Sequence, residues 1–492
     1  LWQGSITIRR GDIRTPGPAI KGSPSGSAGR AEASPFEFRL LDDGRNGLVD
    51  LPGQSMYRFP VSRLSWSPER VSFRLNTGSA QTSLRFEGFL IRTYSPTGEQ
   101  ATGSSPSGSR GSPEPAPSAS GPDKESSAHA TLESQAAVSA GASDSAFPAA
   151  LAHGPAGVTG AFAGGEVSGI FRLSAMADPG HPDEERVSVE GFSGALPGIL
   201  RFPPRKREGI PLVIIIAASG STDRDGNNFN IPGKNDAYRL VAEALAGEGV
   251  ASFRYDKRGS GEAWGLVHDE SFLRFSQYVD DAAEVMTHFR RDGRFSRIVV
   301  AGHAEGALVA AAAINRSEGG ADAFVALCAS ANSPLQTVRT QLAGIPAEQA
   351  PEAAAILTAL ADGKDYPEPS GFFADFFRPS FQGYLASWFA YAPERELSEM
   401  AVPIVFVHGG RDIQTAETEP DALLTLRPAA SAFILPTMNR MLKDVPADED
   451  ENYRSITDPS FPLARGLVEV LSAVARLDPV PAWVPRYRLP AP

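Results

Sequence analysis

The sequence predicts an α/β protein in which a doubly wound, mostly parallel sheet follows a small antiparallel β module. Three observations support this prediction. From about residue 185 to 478, strand patterns alternate with helix patterns, as in sheets whose parallel strands are joined by helices. The run "PLVIIIAAS" is continuously apolar and β-branched, which is typical of a strand buried on both faces. Before about residue 94, segments alternate apolar and polar residues with a period of two.

Residues 1–180 are expected to form the β module. The segments "GSITIRR", "FEFRLL", "RVSFRLN" and "SLRFEGFLI" predict paired strands with one buried face, and the pattern resumes in "VTGAFAGGEVSGIFRLSAMA". Residues 95–157 are rich in Ser, Gly, Pro and Ala, and such a composition buries too little apolar surface to offset the entropy of ordering the chain. We therefore predict a disordered insertion in a loop of the module, with a linker between two domains as the alternative.

Residues 185–478 are expected to form the α/β domain. The segment "RVSVEGFSGALPGILRFPP" predicts two paired strands, and "ASFRYD", "RIVVAG", "AFVALCAS" and "VPIVFVHGG" predict buried strands. Helices are predicted for "DAYRLVAEALAGEGV", "FSQYVDDAAEVMTHFRR", "EGALVAAAAINRS" and "PLARGLVEVLSAVARL". The mainly helical pattern of residues 332–400 predicts a cap over the carboxyl ends of the strands. Residues 479–492 form a Pro-rich tail, whose Trp483 and Tyr487 are expected to dock on the protein itself rather than on a partner.

The amino-acid composition limits the kinds of partner and environment that we expect for this protein. The formal net charge of −12 argues against a sequence-independent grip on nucleic acid phosphates. No run of about 20 uninterrupted apolar residues occurs, so we expect no transmembrane segment. The single cysteine, Cys328, excludes a disulfide within the chain and is expected to be a small core residue. The first residue is Leu1; removal of a signal peptide would explain this, and so would other trimming, and export is the preferred expectation.

The segment "AGHAEGALVA", at residues 301–310, raises the question of whether the chain carries a catalytic nucleophile. Gly302 and Gly306 have the Gly-x-x-x-Gly spacing of a strand-to-helix turn that presents a nucleophile at its middle position. His303 precedes that position, which is occupied here by Ala304. Because alanine has no side-chain oxygen, no acyl intermediate can form on it. Both glycines are kept, so we expect the turn itself to form.

Seven segments resemble, in order and spacing, the bacterial carboxylesterases of the α/β-hydrolase superfamily, in the branch with a small N-terminal β module. They are "SGSTDRDGNN", "GKNDAYRLVAEALA", "RYDKRGSG", "YVDDA", "GHAEGAL", "VPIVFVHGGRD" and "MNRMLK". The resemblance implies an α/β-hydrolase fold with a Ser-His-Asp triad. It places the nucleophile position at Ala304, the acid at Asp412 and the histidine position at Arg440.

Two of the three triad positions are therefore altered. Arginine stays protonated near neutral pH and offers no acceptor, so Arg440 cannot act as a general base. Loss of the nucleophile alone costs about a millionfold in rate. None of the seven histidines follows His408 in the chain. We expect His303 and His408 to be packed structural residues, and His268 to be a solvated loop residue.

The resemblance also implies an oxyanion hole built from backbone N–H groups. One belongs to Glu305, and the other lies near Ser219 and Gly220. Alanines occupy positions 217 and 218, where the family usually has Pro and Gly, so the conformation of this loop is left open. Backbone donors survive the loss of catalytic side chains. With Arg440 and a helix N-terminus, they predict a pocket for a small carboxylate or ester ligand.

Several functions remain open from the sequence. The preferred one is a catalytically inactive α/β-hydrolase-fold protein that binds a ligand or acts as a scaffold for a protein partner. The alternative is an active carboxylic ester or acyl hydrolase with an unconventional base, and another reaction on the same fold comes third. Arg440 is also expected to pair with Asp412, because a buried carboxylate needs a partner. The charged segments show no metal-ligand spacing with His or Cys, so we expect no metal or other cofactor.

Overall fold

The computed structural model of the chain describes residues 181–489, apart from 229–230, 232, 318 and 417, together with the backbone of eight strands before residue 176. These eight strands pair consecutively and antiparallel, and the last pairs with the first, so they close into a barrel. Their bounds are Trp2–Arg10 (β1), Ala33–Leu40 (β2), Gly47–Leu51 (β3), Met56–Trp66 (β4), Arg70–Asn76 (β5), Ser83–Ile91 (β6), Gly157–Gly164 (β7) and Val167–Ala175 (β8).

The connection between β6 and β7 carries the predicted low-complexity insertion. Residues 92–156 lie outside the described residues, so the predicted disorder of 95–157 stays a prediction for that segment. The two strands that it joins are register partners, with Ile91 opposite Gly157. Consecutive antiparallel pairing explains the period-two pattern, because each strand then has one inward and one outward face.

The second sheet has nine strands within the described residues, in the order β17-β16-β15-β14-β13-β11-β12-β10-β9. From β12 to β16 neighbouring strands are parallel, whereas β9, β10 and β17 pair antiparallel. The bounds are Glu184–Gly191 (β9), Gly194–Arg201 (β10), Ile210–Ile216 (β11), Ala251–Tyr255 (β12), Phe295–His303 (β13), Ala323–Leu327 (β14), Ile404–Gly409 (β15), Ser431–Leu435 (β16) and Arg486–Tyr487 (β17). The strand order reverses between β11 and β13, which is where α/β sheets bind ligands.

Helices cover both faces of this sheet in the described part of the chain. Their bounds are Ala237–Gly247 (α1), Phe275–Arg291 (α2), Glu305–Arg316 (α3), Pro334–Gln341 (α4), Ala350–Ala361 (α5), Pro379–Phe389 (α6), Pro393–Glu399 (α7), Glu419–Leu426 (α8), Glu449–Arg454 (α9) and Leu467–Arg476 (α10). Strand β11 shows why its sequence is continuously apolar. Ile214 and Ile216 belong to the core under α2 and α3, whereas Val213 and Ile215 belong to the core under α1 and α10.

The segment between β14 and β15 contains α4 to α7. Trp388 of α6 and Leu397 of α7 line a cavity together with Ala326 of β14. These two helices therefore lie near the carboxyl end of a central strand, and the cap expected over 332–400 stays a prediction. None of the helices in the described ranges is long and apolar enough to cross a membrane.

The C-terminal tail contacts the body of the protein. In β17, Tyr487 is the register partner of Ala432 of β16, and its hydroxyl donates to a carboxylate oxygen of Asp421 at 2.5 Å. The guanidinium of Arg465 lies 4.5 Å from the ring centre of Trp483. Both aromatic residues of the tail therefore have partners in this chain, as expected.

Candidate functional site

The strand-to-helix turn forms without a nucleophile. Ala304 lies between β13 and α3 with φ 53° and ψ −117°, a conformation that is strained for any residue with a side chain. A Cβ atom on Gly302 would lie 2.5 Å from the carbonyl oxygen of Gly306. A Cβ atom on Gly306 would lie 2.4 Å from the carbonyl oxygen of Ala217. The two glycines are thus required by backbone contacts, and the geometry of the turn is retained around an alanine.

His303 links three segments of the site. Its Nδ1 lies 2.7 Å from the hydroxyl oxygen of Tyr238, which accepts a hydrogen bond from Ala218 N–H at 2.9 Å. The tyrosine proton is therefore directed at Nδ1, so Nε2 carries the ring proton and donates to the carbonyl oxygen of Arg440 at 2.8 Å. Burial and the nearby Arg440 charge lower the pKa of His303 to about 4. His303 is therefore a neutral structural connector, as the sequence suggested.

The side chain of Asp412 is buried and accepts hydrogen bonds from neutral donors. One carboxylate oxygen accepts the N–H groups of Gln414 and Thr415 at 2.9 and 3.2 Å, and the other accepts the hydroxyl of Thr415 at 2.6 Å. Arg440 Nη1 lies 3.4 Å from the same oxygen as the hydroxyl and 3.0 Å from Thr415 Oγ1. The expected pairing of Arg440 with Asp412 is present but long. Among the described residues, Nε and Nη2 of Arg440 make no hydrogen bond, and 24% of its side chain is exposed.

Cys328 contributes to the site in a way that the sequence did not indicate. It is buried, as predicted, but it also lines the cavity beside Ala304. Burial raises the pKa of Cys328 far above its usual range, and the nearby Asp412 adds to the increase. The thiol therefore stays protonated, which makes it a neutral hydrogen-bond donor rather than a nucleophile.

Lys257 fixes the loop that carries Ser219. Its buried ammonium donates to the carbonyl oxygen of Ala218, whose own N–H is bonded to Tyr238. Because the carbonyl and N–H of a trans peptide point in opposite directions, this bond turns the N–H of Ser219 away from Lys257. Burial lowers the pKa of Lys257 to about 8, and the nearby carboxyl of Glu305 opposes that effect. Sequence reasoning missed this role, although "RYDKRGSG" contains the residue.

Glu305, the first residue of α3, stands beside this loop. Burial raises the pKa of its carboxyl, while the charge of Lys257 and a hydrogen bond with Tyr384 oppose the increase. Its backbone N–H lies at the helix N-terminus, where backbone donors and the helix dipole favour anions. Gly220 is exposed in the neighbouring loop with φ +70° and does not line the cavity, whereas Ser219 does.

Two cavities meet at Arg440. The larger has a volume of about 420 Å³, and Ala304, Glu305, Cys328 and Arg440 lie on its wall. Its apolar lining consists mainly of Leu308, Ala311, Phe324, Trp388, Leu397, Phe406 and Leu423. The smaller, of about 180 Å³, is lined by Tyr238, His303 and several asparagines. Ser219, Gln414 and Arg440 line both cavities, so these three residues lie where the cavities adjoin.

No histidine among the described residues lines the larger cavity. His268 is exposed and lines neither cavity. His408, near the end of β15, is buried, and neither of its ring nitrogens has a hydrogen-bond partner in the described part of the chain. Burial lowers the pKa of His408 to about 4. The described residues therefore bring no replacement base to the position opposite Ala304.

The chain is similar to known proteins over part of its length. A family model described as serine aminopeptidase, S33, matches residues 234–363. Esterase EstD from Thermotoga maritima is 27% identical over 278 residues, which cover 53% of this chain and 61% of EstD. The chain thus spans less than two thirds of the length of that curated relative.

Two solved structures are also similar. Est1E from Butyrivibrio proteoclasticus, in a structure with ferulic acid bound, shares 16% identity with a TM-score of 0.41 and covers 59% of this chain and 96% of its own. The esterase domain of a Rhodothermus marinus protein shares 15% identity with a TM-score of 0.34, covering 60% of this chain and 98% of its own. With the parallel sheet and the elbow between β13 and α3, the α/β domain of the chain has the α/β-hydrolase fold.

Proposed function

We propose that this protein is a catalytically inactive α/β-hydrolase-fold protein that binds a small carboxylate in the larger cavity. The observation that carries the proposal is the position of Arg440, which lines this cavity together with Ala304 and Thr415, the residue whose hydroxyl accepts from Arg440 Nη1. The residue at the histidine position thus offers a fixed positive charge where a hydrolase of this superfamily needs a proton acceptor.

Loss of catalysis is supported by three neighbouring groups. Ala304 offers no nucleophilic atom. Cys328 lines the same wall, but burial raises the pKa of its thiol, which therefore stays protonated. His303 is neutral, and both its ring nitrogens are engaged, by Tyr238 and by the Arg440 carbonyl. No base and nucleophile therefore meet in this site.

Carboxylate binding is supported by the donors that remain. Nε and Nη2 of Arg440 are without hydrogen bonds among the described residues, and a guanidinium binds a carboxylate through two such donors. Ser219 and the N-terminus of α3 add backbone N–H groups at the same cavity wall. The apolar lining accommodates an acyl or aryl group attached to the carboxylate.

The experiment is isothermal titration of the purified protein with hexanoate. We expect binding that Arg440→Ala weakens roughly 10- to 100-fold, since a hydrogen bond to a charged group is worth about 1.5–3 kcal/mol. Arg411→Ala is the matched control, because Arg411 is an exposed arginine that lines neither cavity. Titration without binding, or with equal affinity in the Arg440→Ala protein, would contradict the proposal.

The second candidate is an active ester hydrolase, and the retained elbow geometry together with the similarity to EstD favours it. Turnover of short-chain p-nitrophenyl esters by the native protein separates the two candidates. We expect no turnover above the buffer rate. Turnover that Asp412→Asn abolishes would instead establish a hydrolase, and His268 would then be the first base to test.

A further inference from the structure

Glu419 is a buried carboxylate without a cationic partner among the described residues. It is the first residue of α8, is 6% exposed and lines the larger cavity. Its oxygens accept Ser330 Oγ at 2.8 Å, Ala331 N–H at 2.7 Å and Asn332 Nδ2 at 3.0 Å. All three donors are uncharged. These bonds and the helix N-terminus offset part of the cost of burying the charge, but they supply no counterion.

The other acidic side chains in the cavity region, unlike Glu419, each lie beside a positively charged side chain. Asp412 is paired with Arg440, and Glu305 lies beside Lys257 and bonds to Tyr384. Glu419 is therefore the cavity-lining carboxylate for which the described residues offer no positive charge. A cavity that carries such a group is complementary to a ligand with a positive charge of its own.

The acceptors around Glu419 match an ammonium group. Glu419 Oε2 accepts one hydrogen bond in the structure and has room for another. Ser330 and Asn332 line the same cavity and add hydroxyl and amide oxygens. An ammonium has three donors, so it can be shared among these three side chains. A metal ion is less well served, because the described residues hold no cluster of three or more His, Cys, Asp or Glu side chains suited to a metal.

The short chain separation between Glu419 and Thr415, which contacts Arg440, limits the length of such a ligand. Thr415, which accepts from Arg440, is four residues before Glu419, so their Cα atoms are at most about 14 Å apart. Thr415, Ala416 and Leu423 lie on the cavity wall with both charged groups. A short apolar chain can therefore join a group at Arg440 to a group at Glu419.

We propose that the natural ligand is a zwitterion, with its carboxylate at Arg440, its ammonium at Glu419, Ser330 and Asn332, and a short apolar chain between them. This inference rests on the proposed carboxylate-binding function and specifies its ligand class. The competing role for Glu419 is purely structural, as a tie between the 330–332 loop and α8.

The test compares probes of one chain length by isothermal titration: ω-aminohexanoate, hexanoate, hexylamine and N-acetyl-ω-aminohexanoate. We expect ω-aminohexanoate to bind at least about tenfold more tightly than hexanoate, and its N-acetyl derivative to lose that advantage because the amide is uncharged. Glu419→Gln should weaken ω-aminohexanoate about tenfold without weakening hexanoate, because the substitution removes a negative charge that repels a carboxylate. Arg440→Ala should weaken both.

The two hypotheses fail in different ways. If hexanoate binds as tightly as ω-aminohexanoate, and Glu419→Gln changes neither, the zwitterion inference is overturned while carboxylate binding stands. If none of the carboxylate probes binds the native protein, the proposed function itself fails. Hexanoate binding by the Glu419→Gln protein reports that its cavity is folded. If that variant does not fold, the comparison of free and N-acetylated amine on the native protein still decides the question.

Discussion

His303 Nε2 donates a hydrogen bond to the main-chain carbonyl of Arg440 at 2.8 Å, so the elbow holds the loop of residue 440 by its backbone. The contact does not involve the Arg440 side chain. Substitutions at position 440 therefore change the chemistry of the site without removing the bond that places the residue.

The first prediction is that Ala304→Ser/Arg440→His gains ester hydrolysis. The turn at position 304 keeps its conformation, Asp412 is held by three donors, and the backbone bond to His303 fixes position 440. We expect p-nitrophenyl acetate turnover at least about tenfold above the native protein. Each single variant should remain silent, because a serine without a base or a base without a serine does not react. Adding Asp412→Asn to the double variant should lower the gain, and a silent double variant would show that the scaffold is no longer competent.

Lys257 is predicted to support anion binding through the loop that it holds. Lys257→Met keeps the length of the side chain but removes the donor to Ala218, so the N–H of Ser219 loses its fixed direction. Hexanoate affinity should fall about tenfold.

The affinity for hexanoate should also depend on pH. Because the pKa of Lys257 is lowered to about 8, the affinity of the native protein for hexanoate should decline as the pH rises through that value. The variant should lack this decline, and exposed Lys364→Met is the control; equal pH profiles for native protein and Lys257→Met would exclude the role.

A substitution at Gly306 should test whether the elbow is still required for folding. The added Cβ of Gly306→Ala would lie 2.4 Å from Ala217 O and 2.5 Å from Ile216 O, both backbone atoms of a central strand and its exit. We expect a loss of about 3 kcal/mol in the free energy of unfolding, measured by urea denaturation. Gly247→Ala, at the end of α1, meets no atom within 4 Å and should be neutral or slightly stabilising. Equal stability of the two variants would refute the packing argument.

Stability should fall in mild acid because two buried histidines are neutral in the folded state. Burial lowers the pKa values of His303 and His408 to about 4, whereas the unfolded chain takes up protons near pH 6.5. Their contribution is thus present above about pH 6.5 and is lost as the pH falls towards about 4. Each shift corresponds to roughly 3 kcal/mol at most.

His408→Leu isolates one of these contributions. Since neither ring nitrogen of His408 has a partner among the described residues, the variant should cost little stability at about pH 8. Its loss of stability between about pH 6.5 and 4 should be shallower than that of the native protein. Exposed His268→Leu should leave the slope unchanged. Urea denaturation across this pH range makes the comparison, and an unaltered slope in His408→Leu would contradict it.

Much of the fold could be predicted from local patterns in the sequence. Strand β11 was predictable because burial on both faces demands a continuous apolar run, and the elbow was predictable because Gly302 and Gly306 face backbone atoms. Closure of the barrel was not predictable, since the pairing of β1 with β8 joins residues at opposite ends of the module and leaves no local pattern.

The candidate site likewise has features that the sequence predicts and features that it does not. The pairing of Arg440 with Asp412 followed from the need of a buried carboxylate for a partner, and the structure contains it. The roles of Lys257, Cys328 and Glu419 depend on segments that are distant in the chain: Lys257 meets Ala218 just beyond the ends of the neighbouring strands β12 and β11, and Glu419 meets the 330–332 loop. Their side chains are common in surface turns and cores, so identity and spacing alone did not single them out.

Ile91 and Gly157 face each other in the barrel, so the chain exits and re-enters it at a single point. The pairing of the barrel strands therefore does not depend on how many residues connect β6 to β7. The entropic cost of closing a long connection rather than a tight turn at this point is only about 2 kcal/mol. We therefore expect that a fluorescent domain or an affinity module can be inserted between β6 and β7 without a change in the register of the barrel strands.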